Sequence, residues 1–267
     1  MLSFANQHRW TFNGGTNPVC RASCMAPRGR PERSKSDAKS TDRRGGDVCS
    51  TDVSISGWLD RRVEKEIEMR DLILGMSMSL DGFVAGPNDE NDWIFSTGSP
   101  DGKAWKLRSV SSAGVHIMGS RSYAGWASYW PSSTDVFAPP MNEIPKVVFA
   151  RSGRPAIEPA PANAKAEPGA EALASWREAR VASGPLADEI ARLKREDGKP
   201  IFAHGGAAFA QSLVRANLVD EYRLAVHPVA LGRGKPLFAT LEARSLLALV
   251  ECTRFDGGAV ALVYRRR

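Results

Sequence analysis

The chain lacks several features that assign a protein to a function class directly. Its 267 residues contain no run of about 18 apolar residues, which argues against a membrane-spanning helix. There is no GxxxxGK(S/T) phosphate loop, no GxSxG nucleophile turn, no HExxH metal motif and no HxE…PCxxC deaminase signature. Gly232-Arg233-Gly234 is a lone GxG that does not open a helix, so the Rossmann fingerprint is missing as well.

Cysteine is scarce, with four in the chain. Cys20 and Cys24, taken with His8 and Cys49, can be drawn as a zinc site, but the spacing lacks the paired knuckles of such sites. We therefore predict reduced, unpaired thiols and no metal.

Charge of one sign is not concentrated in the predicted folded part of the chain. The net charge is +6, and residues 1–68 carry 12 Lys/Arg against 9 Asp/Glu, so the remainder is also close to neutral. This balance argues against a nucleic-acid-binding stripe and is compatible with an anionic small ligand. The first 30 residues contain four arginines and no acidic residue, but they lack the apolar segment of a secretory signal, so we predict a cytoplasmic location.

The chain divides into two parts by composition. Residues 1–50 are rich in Ser, Arg, Gly, Asp and Pro, and such a segment cannot bury enough apolar surface to offset its backbone entropy. We predict a disordered N-terminal extension over 1–68 and one folded domain over 69–267. Whether translation begins at Met1 or Met69 is left open.

Strand and helix patterns alternate through the folded part. Buried strands are predicted at 72–79, 115–119, 146–150, 179–182, 201–204 and 221–231, with helices at 102–113, from 120, at 185–196 and at 205–217. A Pro/Ala-rich stretch at 154–169 predicts a surface excursion, and a turn at 256–258 predicts a closing hairpin. Alternation of this kind predicts an α/β fold: a mostly parallel sheet with helices on both faces and a C-terminal antiparallel hairpin.

The first candidate site is the junction after His204, where a buried strand meets a helix at Gly205 and Gly206, followed by Ala207. Glycines let the backbone approach a ligand closely, and helix-start amides favour phosphate. A tight turn without a ligand is the alternative reading of these two glycines.

A second junction has the same form. Gly119 ends a buried strand, Ser120 is placed to cap the following helix, and Arg121 adds a cation. Two such junctions in one sheet suggest two phosphates of one dinucleotide. The strand end at Arg151-Ser152 offers a further cation and hydroxyl, which would favour NADPH over NADH through its 2′-phosphate.

The third junction, Ser79 to Gly82, ends a buried strand in a carboxylate, Asp81, and a glycine. It is either part of a substrate site or a plain turn, since Asp-Gly is a common turn pair. Trp93 is either a stacking platform for a flat ligand or a core residue. Histidines are poor catalytic candidates: His116 lies inside a buried strand and His227 precedes a proline.

The motifs, taken together, resemble the dihydrofolate reductase-like proteins of bacteria, including the reductase domain of the bifunctional riboflavin-biosynthesis protein (the RibD C-terminal domain). The resemblance covers roughly 69–267 and is carried, in order, by SLDGFVAG, DW, IMGSRSY, KVVFARS, HGGAAFAQSL and VDEYRLAVHPVALGRGKPLF. It implies a three-layer fold, a homodimer, and NADPH as the hydride donor.

The resemblance also implies roles for individual residues. It implies that the dinucleotide phosphates lie against two groups of residues: Gly205, Gly206 and Ala207, and Gly119, Ser120 and Arg121. Ser152 would lie near the 2′-phosphate, and Ser79, Asp81 and Gly82 near the nicotinamide and substrate, with Trp93 beside them. Asp81 would orient or protonate the substrate's C=N or C=O group.

The chain differs from the family pattern in its first helix. Dihydrofolate reductase holds the pteridine with an acidic residue there, whereas this helix reads GKAWKLRSV, with Asp101 just before it. The deaminase partner domain is also missing. The expected function is hydride transfer to a small pteridine- or pyrimidine-like heterocycle or to another carbonyl or imine. The alternatives are a non-catalytic, dimeric NADPH-binding protein and a nucleic-acid binder acting through its basic arm.

Overall fold

The computed structural model describes residues 69–150, 153, 155 and 167–267. The predicted disordered extension over 1–68, the cysteines and histidine within it, Arg151, Ser152 and most of the predicted surface excursion lie outside the described residues. Among the helices that are described, none is both long enough and apolar enough to cross a bilayer.

Ten strands, seven α-helices and one short 3-10 helix, Trp130–Ser132, make up the secondary structure of the described chain. The strands are Leu72–Ser79 (β1), Phe83–Ala85 (β2), Val115–Gly119 (β3), Lys146–Phe149 (β4), Arg180–Ala182 (β5), Ile201–His204 (β6), Glu221–His227 (β7), Lys235–Pro236 (β8), Leu247–Arg254 (β9) and Val260–Arg266 (β10). The helices are Trp93–Ser96 (α1), Pro100–Ser111 (α2), Ser120–Tyr129 (α3), Ala138–Glu143 (α4), Ala170–Arg177 (α5), Leu186–Arg195 (α6) and Ala207–Arg215 (α7).

Eight of these strands form one sheet in the order β5-β4-β3-β6-β1-β7-β10-β9. The six strands from β5 to β7 run parallel, and β10 and β9 add an antiparallel pair at one edge. The predicted fold class, including the C-terminal hairpin, is therefore confirmed. Strands β2 and β8 pair separately as a two-stranded antiparallel sheet.

Two hydrophobic clusters cover the two faces of the sheet, which explains why the central strands read as continuous apolar runs. On β1, Leu72 and Leu74 pack in a cluster with residues of α6 and α7, whereas the intervening Ile73 packs in a cluster with residues of α2 and α3. Leu74 is fully buried, so its truncation to alanine is expected to cost about 2–5 kcal/mol of stability.

The prediction differs from the structure at several element boundaries and in one helix that was not predicted. The strand predicted over 221–231 ends at His227, because Pro228 has no N–H to continue the ladder. The helix predicted from 205 begins at Ala207, with Gly206 as its N-cap. Helix α4 was not predicted, because its sequence APPMNE contains two prolines, which lie in the first turn where their missing N–H groups cost little.

Candidate functional site

The three predicted junctions lie at the ends of adjacent strands. Strand β6 pairs with β3 on one side and with β1 on the other, all in parallel. Their carboxyl ends therefore meet at one edge of the sheet, where ligands bind in open α/β proteins. Sequence order alone does not show this adjacency, since β6 is inserted between two strands that precede it in the chain.

The first two junctions leave little room for a Cβ because their helix starts touch. A Cβ on Gly206 would lie 3.1 Å from Ser122 Oγ, and a Cβ on Gly119 would lie 3.1 Å from Phe209 Cβ. The Ser122 hydroxyl also donates a hydrogen bond to the Gly205 carbonyl oxygen at 3.0 Å. The starts of α3 and α7 are thus held side by side.

Both helix starts present backbone amides without a side-chain cap. Gly119 and Gly206 are the N-caps of α3 and α7, and neither helix has a capping side-chain hydrogen bond. The predicted capping role of Ser120 was wrong, because Ser120 is the first helical residue. Uncapped N–H groups at two adjoining helix starts, with no Cβ in the way, fit the binding of a diphosphate.

The side chains at these starts differ in exposure, and the phosphate contact of Arg121 stays a prediction. Arg121 is 84% exposed and pairs with Asp89 at 3.3 Å. Ala207 is buried, so its N–H is the group it offers. A Cβ on Gly205 would lie 2.6 Å from Met76 Sδ, so this glycine also makes room for the Met76 side chain of β1.

At the third junction, the side chains of Ser79 and Asp81 are hydrogen-bonded to each other and to nearby backbone N–H groups. The buried Ser79 hydroxyl donates to Asp81 Oδ1 (2.6 Å) and accepts from the Phe83 N–H (2.9 Å). The Asp81 carboxylate also accepts the Leu231 N–H (3.1 Å) and the Gly232 N–H (2.7 Å). Asp81 therefore ties the loop after β7 to the end of β1.

These bonds fix the protonation of Asp81. The Ser79 hydroxyl, and then the two backbone amides, lower the pKa of Asp81 from 3.8 to about 2. The carboxylate is ionised at neutral pH, so Asp81 does not fit the proton-donor role that the sequence suggested. Gly82 has φ +88°, a conformation that glycine adopts without strain and that this turn requires.

Trp93 is a core residue in this structure, 7% exposed. Its ring meets His227 edge to face, with centroids 5.5 Å apart. His227 in turn contacts Lys106 of α2, with 3.3 Å between Nε2 and Nζ. Sequence reasoning missed Lys106 and set His227 aside, because the two lie 121 residues apart and neither belongs to a motif.

The remaining histidines are buried and neutral. Burial lowers the pKa of His116 to about 4 and that of His204 well below 6.5. Their rings pack edge to face at 4.6 Å, and His204 also packs against Trp126. His116 is a core residue, as predicted, and the His204 ring packs in the core behind the Gly205 turn.

An open cleft of about 670 Å³ lies at the opposite end of the parallel strands, near the amino ends of β3, β4 and β5. Lys146, which lines it, uses its three N–H groups on Asn142, Ile144 and Ser175, and Arg180 pairs with Glu196. These cations hold the fold together. Among the described residues, no group of three or more His, Cys, Asp or Glu side chains is placed to hold a metal.

The fold defines an α/β protein of the dihydrofolate reductase-like type, with a candidate ligand site at the carboxyl ends of β3, β6 and β1. The family model for the RibD C-terminal domain matches residues 70–261. The chain belongs to this family.

Relatives and solved structures agree with the assignment. The chain is 30% identical over 204 residues to the Bacillus subtilis protein YyaP, itself called uncharacterized, covering 74% of this chain and 96% of YyaP. A pyrimidine reductase-like protein from Corynebacterium diphtheriae shares the fold at TM-score 0.51 and 14% identity, over 75% of this chain and 93% of that one. The deaminase/5-amino-6-(5-phosphoribosylamino)uracil reductase of Thermotoga maritima shares it at TM-score 0.51 and 13% identity, over 74% of this chain and 57% of that one.

Proposed function

We propose that this protein is an NADPH-dependent reductase that transfers a hydride to a C=N or C=O group of a small pteridine- or pyrimidine-like heterocycle. The observation that carries the proposal is the contact between two uncapped helix starts on adjacent strands, next to a third strand that ends in the Ser79–Gly82 turn. Membership of the RibD C-terminal domain family supports a reductase.

The coenzyme would be held mainly by backbone groups. The diphosphate would accept hydrogen bonds from the amides of Gly206 and Ala207 at α7 and of Ser120 and Arg121 at α3, where both helix dipoles favour negative charge. Gly119 and Gly205 would serve by leaving room for the backbone. Ser152, beside the adenosine 2′-phosphate, stays a prediction from the sequence.

The substrate would lie against the end of β1. The bound coenzyme would supply the hydride. Asp81 would act as a fixed carboxylate that orients the ring and the loop after β7, while Ser79 holds Asp81 and Gly82 permits the turn. Trp93 would support the site from within the core and does not have the exposure that stacking on a ligand requires.

A thermal-shift titration with NADPH and NADH tests the coenzyme assignment, because a ligand that binds only the folded state raises the melting temperature by mass action. We expect a larger shift with NADPH at equal concentration. The absence of any shift with either coenzyme would contradict the proposal.

A substrate panel, read as loss of the reduced nicotinamide absorbance, then separates an enzyme from a non-catalytic NADPH-binding protein. Ribosylaminopyrimidinones and dihydropteridines are the first compounds to test. Turnover of a ribosylaminopyrimidinone would place the protein in riboflavin biosynthesis. Binding without turnover of any compound would favour the non-catalytic alternative.

The edge strand β9 of the main sheet supports a homodimer. Leu246 precedes strand β9, Leu249 and Val250 lie within it, and all three are more than half exposed. An exposed apolar edge strand is a common docking surface for a second copy. Light scattering on the wild type and on Val250→Lys tests this: we expect a dimer and its dissociation, and a monomeric wild type would contradict it.

A further inference from the structure

Four polar side chains, Ser77, Thr97, Lys106 and His227, form a cluster that the proposed roles do not use. We call it the Lys106 cluster. It joins α2 to the carboxyl ends of β1 and β7, and His227 is the register partner of Ser79 in the sheet. The cluster therefore lies next to the proposed substrate turn.

The hydrogen bonds of the cluster determine where its protons are. The Thr97 hydroxyl donates to the Trp93 carbonyl oxygen at 2.7 Å, so it must accept from His227 Nδ1 at 2.8 Å. His227 Nε2 is then unprotonated and accepts from Lys106 Nζ at 3.3 Å. Lys106 also donates to Ser77 Oγ at 2.9 Å.

The charges agree with this assignment. Burial, and then the positive charge of Lys106, lower the pKa of His227 to about 4, so the imidazole is neutral. Burial lowers the pKa of Lys106 to about 8, so it remains an ammonium at neutral pH. Within the part of the chain that the structure describes, no carboxylate pairs with Lys106.

Two N–H donors near His227 are not used within the described structure. Lys106 has three N–H groups and the two bonds above use two of them. The Trp93 indole N–H is buried and has no acceptor among the residues described. The indole nitrogen has no accessible surface, whereas Lys106 is only partly buried, so its remaining N–H is the donor available to an oxygen acceptor on a ligand.

We propose that the remaining Lys106 N–H binds a carbonyl or anionic oxygen on the substrate ring and so selects rings with an oxo edge over rings with an amino edge. This inference depends on the proposed reductase function. An acidic residue on this helix would accept protons from an amino-substituted ring. A lysine has the opposite hydrogen-bonding polarity, so an amino group would leave the Lys106 donor unpaired.

Two probe rings test the proposal directly: pteridine-2,4-dione and 2-aminopteridin-4-one, which carry an oxygen or an amino group at position 2 and differ otherwise only in the hydrogen on the adjacent N1. Calorimetric titration of the full chain is done at a pH where both rings are neutral and Lys106 is charged. We expect the dione to bind about tenfold or more tightly than the amino ring, because a hydrogen bond from a charged donor is gained. Equal binding, tighter binding of the amino ring, or no binding of either ring by the wild type would overturn the proposal.

Lys106→Met tests the residue, since it keeps the length of the side chain and removes the charge. We expect the preference for the dione to disappear. Lys103→Met, on the same helix at an exposed position paired with Asp135, is the matched control and should keep it. A preserved preference in Lys106→Met would overturn the assignment, and Lys106→Gln serves if the methionine variant does not fold.

The NADPH thermal shift is measured on the same samples. If NADPH produced no thermal shift in the wild type, that result would count against the reductase function and not against the oxygen-binding role. A normal shift with no ring preference would count against the oxygen-binding role alone.

Discussion

The two parts of the proposed ligand edge are built from different atoms. At the starts of α3 and α7, the groups proposed to hold a ligand are backbone amides, and apart from Arg121 the side chains there are small or absent. At the ends of β1 and β7, the groups are side chains: Asp81, Lys106 and His227. Amides at a helix start bind any phosphate of the right shape, whereas one changed side chain alters which ring can bind. We infer that the first region sets the coenzyme and the second sets the substrate.

The largest expected effect is on NADPH binding by the backbone amides at the start of α7. In Gly206→Asp, the new carboxylate would cap α7 and repel a phosphate, so we expect NADPH affinity to fall about a hundredfold while the melting temperature does not fall. Fluorescence titration of NADPH and a thermal scan measure the two quantities.

Gly206→Ala is the control, because it places the same Cβ near Ser122 Oγ without a charge. We expect it to lose far less affinity than the aspartate variant. Unchanged NADPH binding in Gly206→Asp would show that the α7 amides do not hold the coenzyme, and the comparison between the two regions would fail.

The second prediction concerns the side-chain region. Asp81→Asn keeps the shape of the side chain but cannot accept from Ser79, Leu231 and Gly232 as an ionised carboxylate does. We expect turnover to fall about tenfold, as the loop after β7 loses charge-assisted hydrogen bonds. NADPH affinity should stay within about twofold, and steady-state kinetics with a parallel binding titration separates the two. An equal loss of both would mean that the two regions are not independent.

The same variant has a pH signature. Because the pKa of Asp81 is lowered from 3.8 to about 2 in the folded protein, its contribution to stability is present above pH 3.8 and is lost as the pH falls towards 2. The difference in melting temperature between wild type and Asp81→Asn should shrink over that window. A difference that stays constant down to pH 2 would show that the carboxylate is not held as described.

The smallest expected effect is on coenzyme choice. Ser152→Asp should weaken NADPH binding about fivefold and leave NADH binding unchanged, since only NADPH carries the 2′-phosphate that the carboxylate would repel. Paired titrations with both coenzymes measure the ratio, with Ser152→Ala as the uncharged control. An equal effect on NADPH and NADH would remove Ser152 from the 2′-phosphate site.

The sequence predicted the helix starts better than it predicted the side-chain region. Each helix start is local: a buried strand, a glycine and a helix are consecutive in the chain, so Gly119 and Gly206 were found from their neighbours. The strand order of the sheet depends on contacts between residues far apart in sequence. The contact between the two helix starts could therefore not be predicted without knowing that β6 lies between β3 and β1.

The side-chain region was predicted only in part. Ser79 and Asp81 share one turn and were found, but the amides that hold Asp81 lie about 150 residues further on. Lys106 and His227 meet across 121 residues, and Trp93 is buried by contacts of the same long range. One local signal was available: Ser77 and Ser79 are two residues apart in a buried strand, so both point to the same face.

A crystal structure of the full chain with bound NADPH tests the central claim most directly. The account predicts diphosphate oxygens within about 2.7–3.2 Å of backbone nitrogens at the starts of both α3 and α7. A coenzyme bound elsewhere, with both helix starts free of phosphate, would contradict it.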